Sequence, residues 1–243
     1  MKSFKGGKNT VEKRKKKGKV FIVIGLLLII AALGLTGYNV YEGWKAQQAS
    51  DEFVSGMDLD LNGGRVAPWY LDREMPTKKI GNYEFIGMLS IPSANLLLPV
   101  INDWSYPALS VSPCRYVGNY FHNDMVVCAH NFQKHFAVLW NIDLGEDVYF
   151  MNVEGYLFHY QVSNRETLQP TSVLEMIVNQ NNIDDYLDQI SGESSGGDDE
   201  ETALDADSVQ AEDWDLFLFT CTLGGQTRCA VRCTRVMDGT GAE

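Results

Sequence analysis

The chain's 243 residues are 45% hydrophobic, enough to bury a core of its own, and its formal net charge of −12 argues against a nucleic-acid ligand, whose phosphates an acidic body repels. The charge is unevenly spread: residues 1–19 hold nine Lys/Arg against one acid, Glu12, while the rest holds 11 basic and 31 acidic residues. A basic end on an acidic body points to a tail with a task of its own.

That task is set by the next segment. "VFIVIGLLLIIAALGLTGYNV", residues 20–40, has no charged side chain and is long enough to cross about 30 Å of hydrocarbon as a helix. A cleaved signal peptide has a shorter apolar region, about 7–15 residues, and Tyr38, Tyr41 and Trp44 follow here as an interfacial belt. The reading is a transmembrane signal-anchor over 20–40 with the basic tail 1–19 in the cytoplasm and everything beyond outside the cell. Residues 41–80 read as a polar stalk and a Gly/Pro-punctuated lead-in.

From residue 81 onward β patterns dominate. "YEFIGMLSIPSANLLLPVI" contains two apolar runs broken at Pro92 and Pro99, and "MVVCAH" predicts a strand over Met125–His130. Asp147–Asn152 and Leu157–Asn164 read as a hairpin with Gly155 in its turn. Val173 and Ile177, then Ile183, Leu187 and Ile190, fall at helical spacing and predict short helices. Residues 191–213 contain nine acids, no basic residue and no aromatic, and are expected to form a mobile loop. "DWDLFLFTCT" and "TRCAVRCTRV" then read as two strands joined by a short turn. Many short strands with few helices suggest a mainly β fold, a closed barrel or a sandwich.

Five cysteines invite a metal or disulfide reading. Cys229 and Cys233 are i, i+4 on a predicted strand, about 13 Å apart, too far for one tetrahedral ion or for a disulfide with each other. Pairing of either with Cys114 or Cys128 on another strand stays open, as does a plain buried thiol for all four. Cys221 differs because it ends an apolar strand beside a turn, where a side chain gains access to substrate. A nucleophilic thiol needs a base or cation nearby. His122, His130, His135 and His159 are the candidate bases, with His130 alone also ending a strand. Arg228 and Arg232 are the basic residues nearest Cys221 in sequence and lie on one face of their strand.

Taken together, "LFLFTCT", "VVCAHN", "FIGMLSIPSANLLLPVI", "FAVLWNIDLGEDVYF" and "TRCAVRC" resemble, in order, the cysteine strand, the histidine strand, the first barrel strands, the segment after the histidine and the arginine strand of sortases. Sortases are membrane-anchored cysteine transpeptidases of Gram-positive bacteria. The resemblance spans about residues 83–236. It departs from the family at Cys128-Ala129, where Ala-Gly is commoner, and in the short "TLGGQT" loop.

The resemblance implies a sortase-type closed β-barrel of about eight strands with short helices, preceded by one N-terminal transmembrane helix. It implies Cys221, His130 and Arg228 as catalytic residues, with Thr220 and Arg232 secondary. The expected partners are secreted proteins bearing an LPxTG-like sorting motif, and a peptidoglycan-precursor or pilin amine as acceptor. No cofactor is required on this reading, and Ca²⁺ held by the acidic loop is the sharper alternative to a solvated insertion. "APWY", residues 67–70, reads as a connector or, more weakly, as a lid. A hydrolytic cysteine peptidase with the same Cys–His pair, or a non-catalytic surface binding domain, are the competing functions.

Overall fold

A computed structural model describes residues 21–38, 41, 63–193, 211–222 and 225–237. The chain divides into two units, Met1–Trp44 and Lys45–Glu243. In the first, helix α1 (Phe21–Tyr38) is long and apolar enough to span a membrane, and its side chains are mostly exposed, with only Gly25 partly buried. The basic tail, Val20, Val40 and the expected stalk 42–60 lie outside the described residues.

The second unit is built on ten strands: β1 (Arg65–Val66), β2 (Lys78–Ile80), β3 (Tyr83–Ile91), β4 (Leu96–Ile101), β5 (Cys114–Val117), β6 (Met125–Ala129), β7 (Asp147–Asn152), β8 (Tyr156–Leu168), β9 (Leu216–Cys221) and β10 (Arg228–Arg235). The path β8-β10-β9-β6-β5-β4-β3 is closed by β7, which pairs with both β3 and β8. Eight strands therefore form a closed barrel, with β1 and β2 added at its sides. Closure needs a close approach at Gly87, where a Cβ would run into the Met151 carbonyl and lie 2.7 Å from the Phe150 ring. Short helices α2 (Tyr106–Leu109), α3 (Val173–Ile177) and α4 (Ile183–Glu193) lie in the connections.

Period-two alternation sorts the strands into two faces. Leu89, Val100, Val127, Phe150, Leu218 and Val231 point into a barrel core filled by Tyr120, Phe121 and Phe158. Val126, Cys128, Phe217, Phe219 and Ala230 point outward, into a second apolar cluster covered by Ala108 of α2, Met176 of α3 and Trp214.

Three sequence expectations need adjustment. The strand read over Met125–His130 stops at Ala129, leaving His130 just past its end. Within the segment read as lead-in, Arg65–Val66 and Lys78–Ile80 belong to the sheet, since β1 runs parallel to β8 and β2 pairs with β3. Helix α4 continues to Glu193, so the acidic segment begins helical; residues 194–210 lie outside the described residues.

Candidate active site

Strands β6, β9 and β10 are neighbours. The parallel register of β6 and β9 runs from Met125↔Leu216 to Ala129↔Thr220, and one step further sets His130 beside Cys221. The antiparallel register of β9 and β10 begins at Arg228↔Cys221. His130, Cys221 and Arg228 therefore stand in a row across three strands, about 4.8 Å between neighbours. All three have the parity of the outward-facing residues: Cys128 precedes His130 by two, Phe219 precedes Cys221 by two, and Ala230 follows Arg228 by two. Each is half-buried, at the edge of the outer cluster and within reach of solvent.

The backbone around His130 is fixed on both sides. Thr220 points inward, is fully buried, and its Oγ1 donates to the Ala129 carbonyl at 2.8 Å, tying β9 to β6 immediately before the histidine. The His130 carbonyl accepts from the Phe136 N–H at 3.3 Å. The imidazole packs on Phe132 at 4.9 Å between ring centres, and Phe132 packs on His135 at 5.5 Å. His135 is buried, and desolvation, with His130 adding a smaller repulsion, pulls its pKa down to about 4.

The Arg228 guanidinium donates to the Gly225 and Thr227 carbonyls, both at 3.2 Å, within its own turn. That turn is tightened by Thr222 N–H donating to the Thr227 carbonyl, Thr227 N–H donating to Thr222 Oγ1, and Gly225 at φ +72°. Among the described residues these two carbonyls engage Nη1 of a five-donor group whose backbone is registered against Cys221. A thiol flanked by an imidazole and a guanidinium has the groups that acyl transfer requires: nucleophile, proton carrier and anion-stabilising donor.

Comparison with known proteins decides the family, because the Sortase domain model matches residues 89–236. The chain belongs to the sortase family. No curated protein matches it. Among solved structures it is similar to sortase C1 from Streptococcus suis (20% identity, TM-score 0.46, 66% of this chain and 78% of that one). Others are sortase C from Clostridium perfringens SM101 (18%, TM-score 0.44, 63% and 71%) and the sortase D5 transpeptidase of Clostridium perfringens (11%, TM-score 0.45, 65% and 83%).

The remaining expected residues of this sortase lie elsewhere. Arg232 is buried two periods of the alternation further along β10, paired with Glu166, 3.6 Å from Glu212 and 3.5 Å from the Glu175 carbonyl. Its charge is committed to the connection between β8 and β9. His122 stacks on Tyr70 before the start of β6, at the opposite end from His130, and His159 lies 2.8 Å from Asp147 on the β7–β8 hairpin. The segment weighed as a lid is held far from Cys221: the carbonyls of Ala67, Pro68 and Trp69 accept from Arg235. Arg235 is seven residues along β10 from Arg228, roughly 23 Å. Cys229 and Cys233 point into the barrel core, away from Cys114 and Cys128 on the outer face, so neither can pair with them. Among the described residues, no three His, Cys, Asp or Glu side chains gather as a metal site.

Two features escaped sequence reasoning. Phe132 supports the His130 ring, which the i, i+2 spacing alone does not reveal. An aromatic ladder also leads from solvent to the site. Tyr106 and Trp104, 76% and 43% exposed, lie 6.0 Å apart; Trp104 meets Tyr116 at 5.6 Å and Tyr116 meets Phe219 at 5.4 Å. Phe219 is two residues from Cys221 on the same face.

Proposed function

We propose that this sortase is a membrane-anchored transpeptidase that uses Cys221, His130 and Arg228 on the C-terminal sorting motif of exported proteins. The observation that carries the reading is the row itself: three residues from three strands, aligned by register on one face, at the open edge of the outer cluster. Cys221 Sγ attacks the scissile carbonyl, and Arg228 donates to the tetrahedral oxyanion. His130 gives a proton to the departing amine as the C–N bond breaks, leaving a thioester. An incoming amine then attacks the thioester and loses a proton to His130 as the C–S bond breaks and the sulfur leaves as thiolate. Arg232 does not enter, because its guanidinium is engaged with Glu166 and Glu212.

An extended, apolar-rich LPxTG-like peptide suits the outer face, where the ladder from Trp104 to Phe219 offers flat ring surfaces. The acceptor is an amine of peptidoglycan precursor or of a pilin lysine. Helix α1 anchors the enzyme, with the basic tail cytoplasmic and the barrel outside; enzyme, exported substrate and lipid-linked acceptor then share one membrane plane, which raises their effective concentration. The chemistry needs no cofactor.

The test uses the full chain in detergent with pools of LPxTG-like and NPxTG-like peptides. Mass spectrometry is expected to find an acyl adduct on Cys221 that is converted to an amide by an added amine. Conversion to free acid alone, with every amine tried, would establish a hydrolytic peptidase instead. A folded chain whose Cys221 thiol reacts with neither peptide nor alkylating agent would favour a binding domain.

A further inference from the structure

The five cysteines are thiols here, and four of them are buried. Cys114 on β5 and Cys128 on β6 are direct cross-strand partners. Both belong to the outer apolar cluster, so their side chains share a face. Opposed residues of an antiparallel pair have Cα atoms about 4.5–5.5 Å apart, inside the roughly 4.4–6.8 Å a disulfide spans. Burial raises the Cys128 thiol well above its ordinary range, and the next contribution comes from Cys114, as expected of two adjacent sulfurs.

We propose that Cys114 and Cys128 close a cross-strand disulfide as the barrel folds in an oxidising medium, and that the register directs this oxidation away from Cys221. Cys128 faces Phe219 on the parallel strand β9, and Cys221 lies two residues further along, about 8 Å away, beyond bridging range without backbone movement. Cys229 and Cys233 face the barrel core on the other side of the sheet. Cys114 is therefore the one partner the fold offers Cys128, and the nucleophile stays a thiol. The bond sits two residues before His130 and pins β6 to β5 where the site needs a fixed strand end.

The oxidant is a disulfide, such as glutathione disulfide or a thiol–disulfide oxidoreductase. One cysteine thiolate attacks it and expels a thiolate. The second cysteine attacks the mixed disulfide and expels the other. Two electrons pass to the oxidant, and the two protons from the cysteines end on its thiolates. Timing follows from burial. In the folded barrel Cys114 is fully buried and desolvation pushes its thiol up to about 12, so almost no thiolate exists near neutral pH. The reaction belongs to the stage when β5 and β6 are still open.

The proposal borrows from the proposed function only the barrel's exposure to an oxidising exterior, and its test reads masses and melting rather than turnover, so the two fail separately. The full chain, unfolded and reduced in detergent, is refolded in a glutathione redox buffer, alkylated and mapped by mass spectrometry. The expected product is a Cys114–Cys128-linked peptide in most molecules, with Cys221 carrying the alkyl label and Tm roughly 5–10 °C above the reduced chain. The already folded, reduced chain in the same buffer should form the link at least about 10-fold more slowly. A Cys128–Cys221 link, Cys114 and Cys128 still labelled after refolding, or equal rates in the two experiments would overturn the proposal.

Discussion

The two ends of β10 carry arginines in opposite circumstances. At the far end Arg235 is buried, and its guanidinium donates to the carbonyls of Ala67, Pro68 and Trp69 and to Asn123 Oδ1, while its ring contacts are Phe158 at 4.8 Å and Trp69 at 5.7 Å. Asp215 joins the knot by accepting the Arg235 N–H at 2.8 Å and Asn181 Nδ2 at 3.1 Å. At the near end Arg228 is half-buried, bonds among the described residues to carbonyls of its own turn, and stands across from a thiol. The Arg235 guanidinium is spent on holding residues 67–69 and Asn123 to the end of β10, whereas the proposed role of Arg228 needs donors turned toward a substrate. Arg232 falls between them in sequence and with Arg235 in character.

Substitutions break this comparison end by end. The largest effect belongs to Cys221→Ala, which should lower acyl transfer by about 10⁴-fold or more while Tm stays within about 2 °C, as read by peptide turnover and thermal melting. His130→Gln should cost roughly 10²–10⁴-fold, with the thiol still open to alkylation. At the far end Arg235→Met should do the reverse. It strands the Ala67 and Pro68 carbonyls and Asn123 Oδ1, and should destabilise by about 3 kcal/mol or more, with little change in activity per folded molecule at 25 °C.

His135 sharpens the comparison with a pH dependence. Its pKa is lowered to about 4 in the fold against about 6.5 unfolded. The unfolded chain binds the extra proton between those values, so this contribution is whole above about pH 6.5 and lost as pH falls toward 4. The expected size is on the order of 3 kcal/mol. Half-buried Asp124 and buried Asp215, whose pKa values desolvation raises, work in the opposite direction as pH falls. The difference between wild type and His135→Leu removes their share. Tm of that variant should fall less steeply from pH 6.5 to 4 than that of the parent; parallel curves would show that His135 is not held neutral.

Local pattern made much of the molecule legible. Alternation and Gly155 placed the hairpin of β7 and β8, and the apolar run with its turn placed β9, β10 and Cys221 at the strand end. The motif order brought in His130 and Arg228. Long-range register was not legible. Nothing in "MVVCAH" or "LFLFTC" says that β6 and β9 pair in parallel with Ala129 against Thr220, yet that pairing sets His130 beside Cys221. Equally hidden were the closure of β3 on β7 at Gly87 and the capture of Ala67–Trp69 by an arginine about 170 residues later in sequence. Residue pattern alone sets Arg228 and Arg232 on one face; the resemblance favours Arg228, and the register of Arg228 with Cys221 and the Glu166 and Glu212 contacts of Arg232 are differences that pattern does not show.

That separation is also the most direct point of attack. The rate at which a saturating sorting-motif peptide acylates Cys221 can be followed by mass in a single turnover for Arg228→Met and Arg232→Met, normalised to folded protein. The account predicts a loss of roughly 10²–10³-fold for Arg228→Met with unchanged Tm, and a near-normal rate with a lowered Tm for Arg232→Met. The opposite result, slow acylation in Arg232→Met and normal acylation in Arg228→Met, would contradict the assignment of the row.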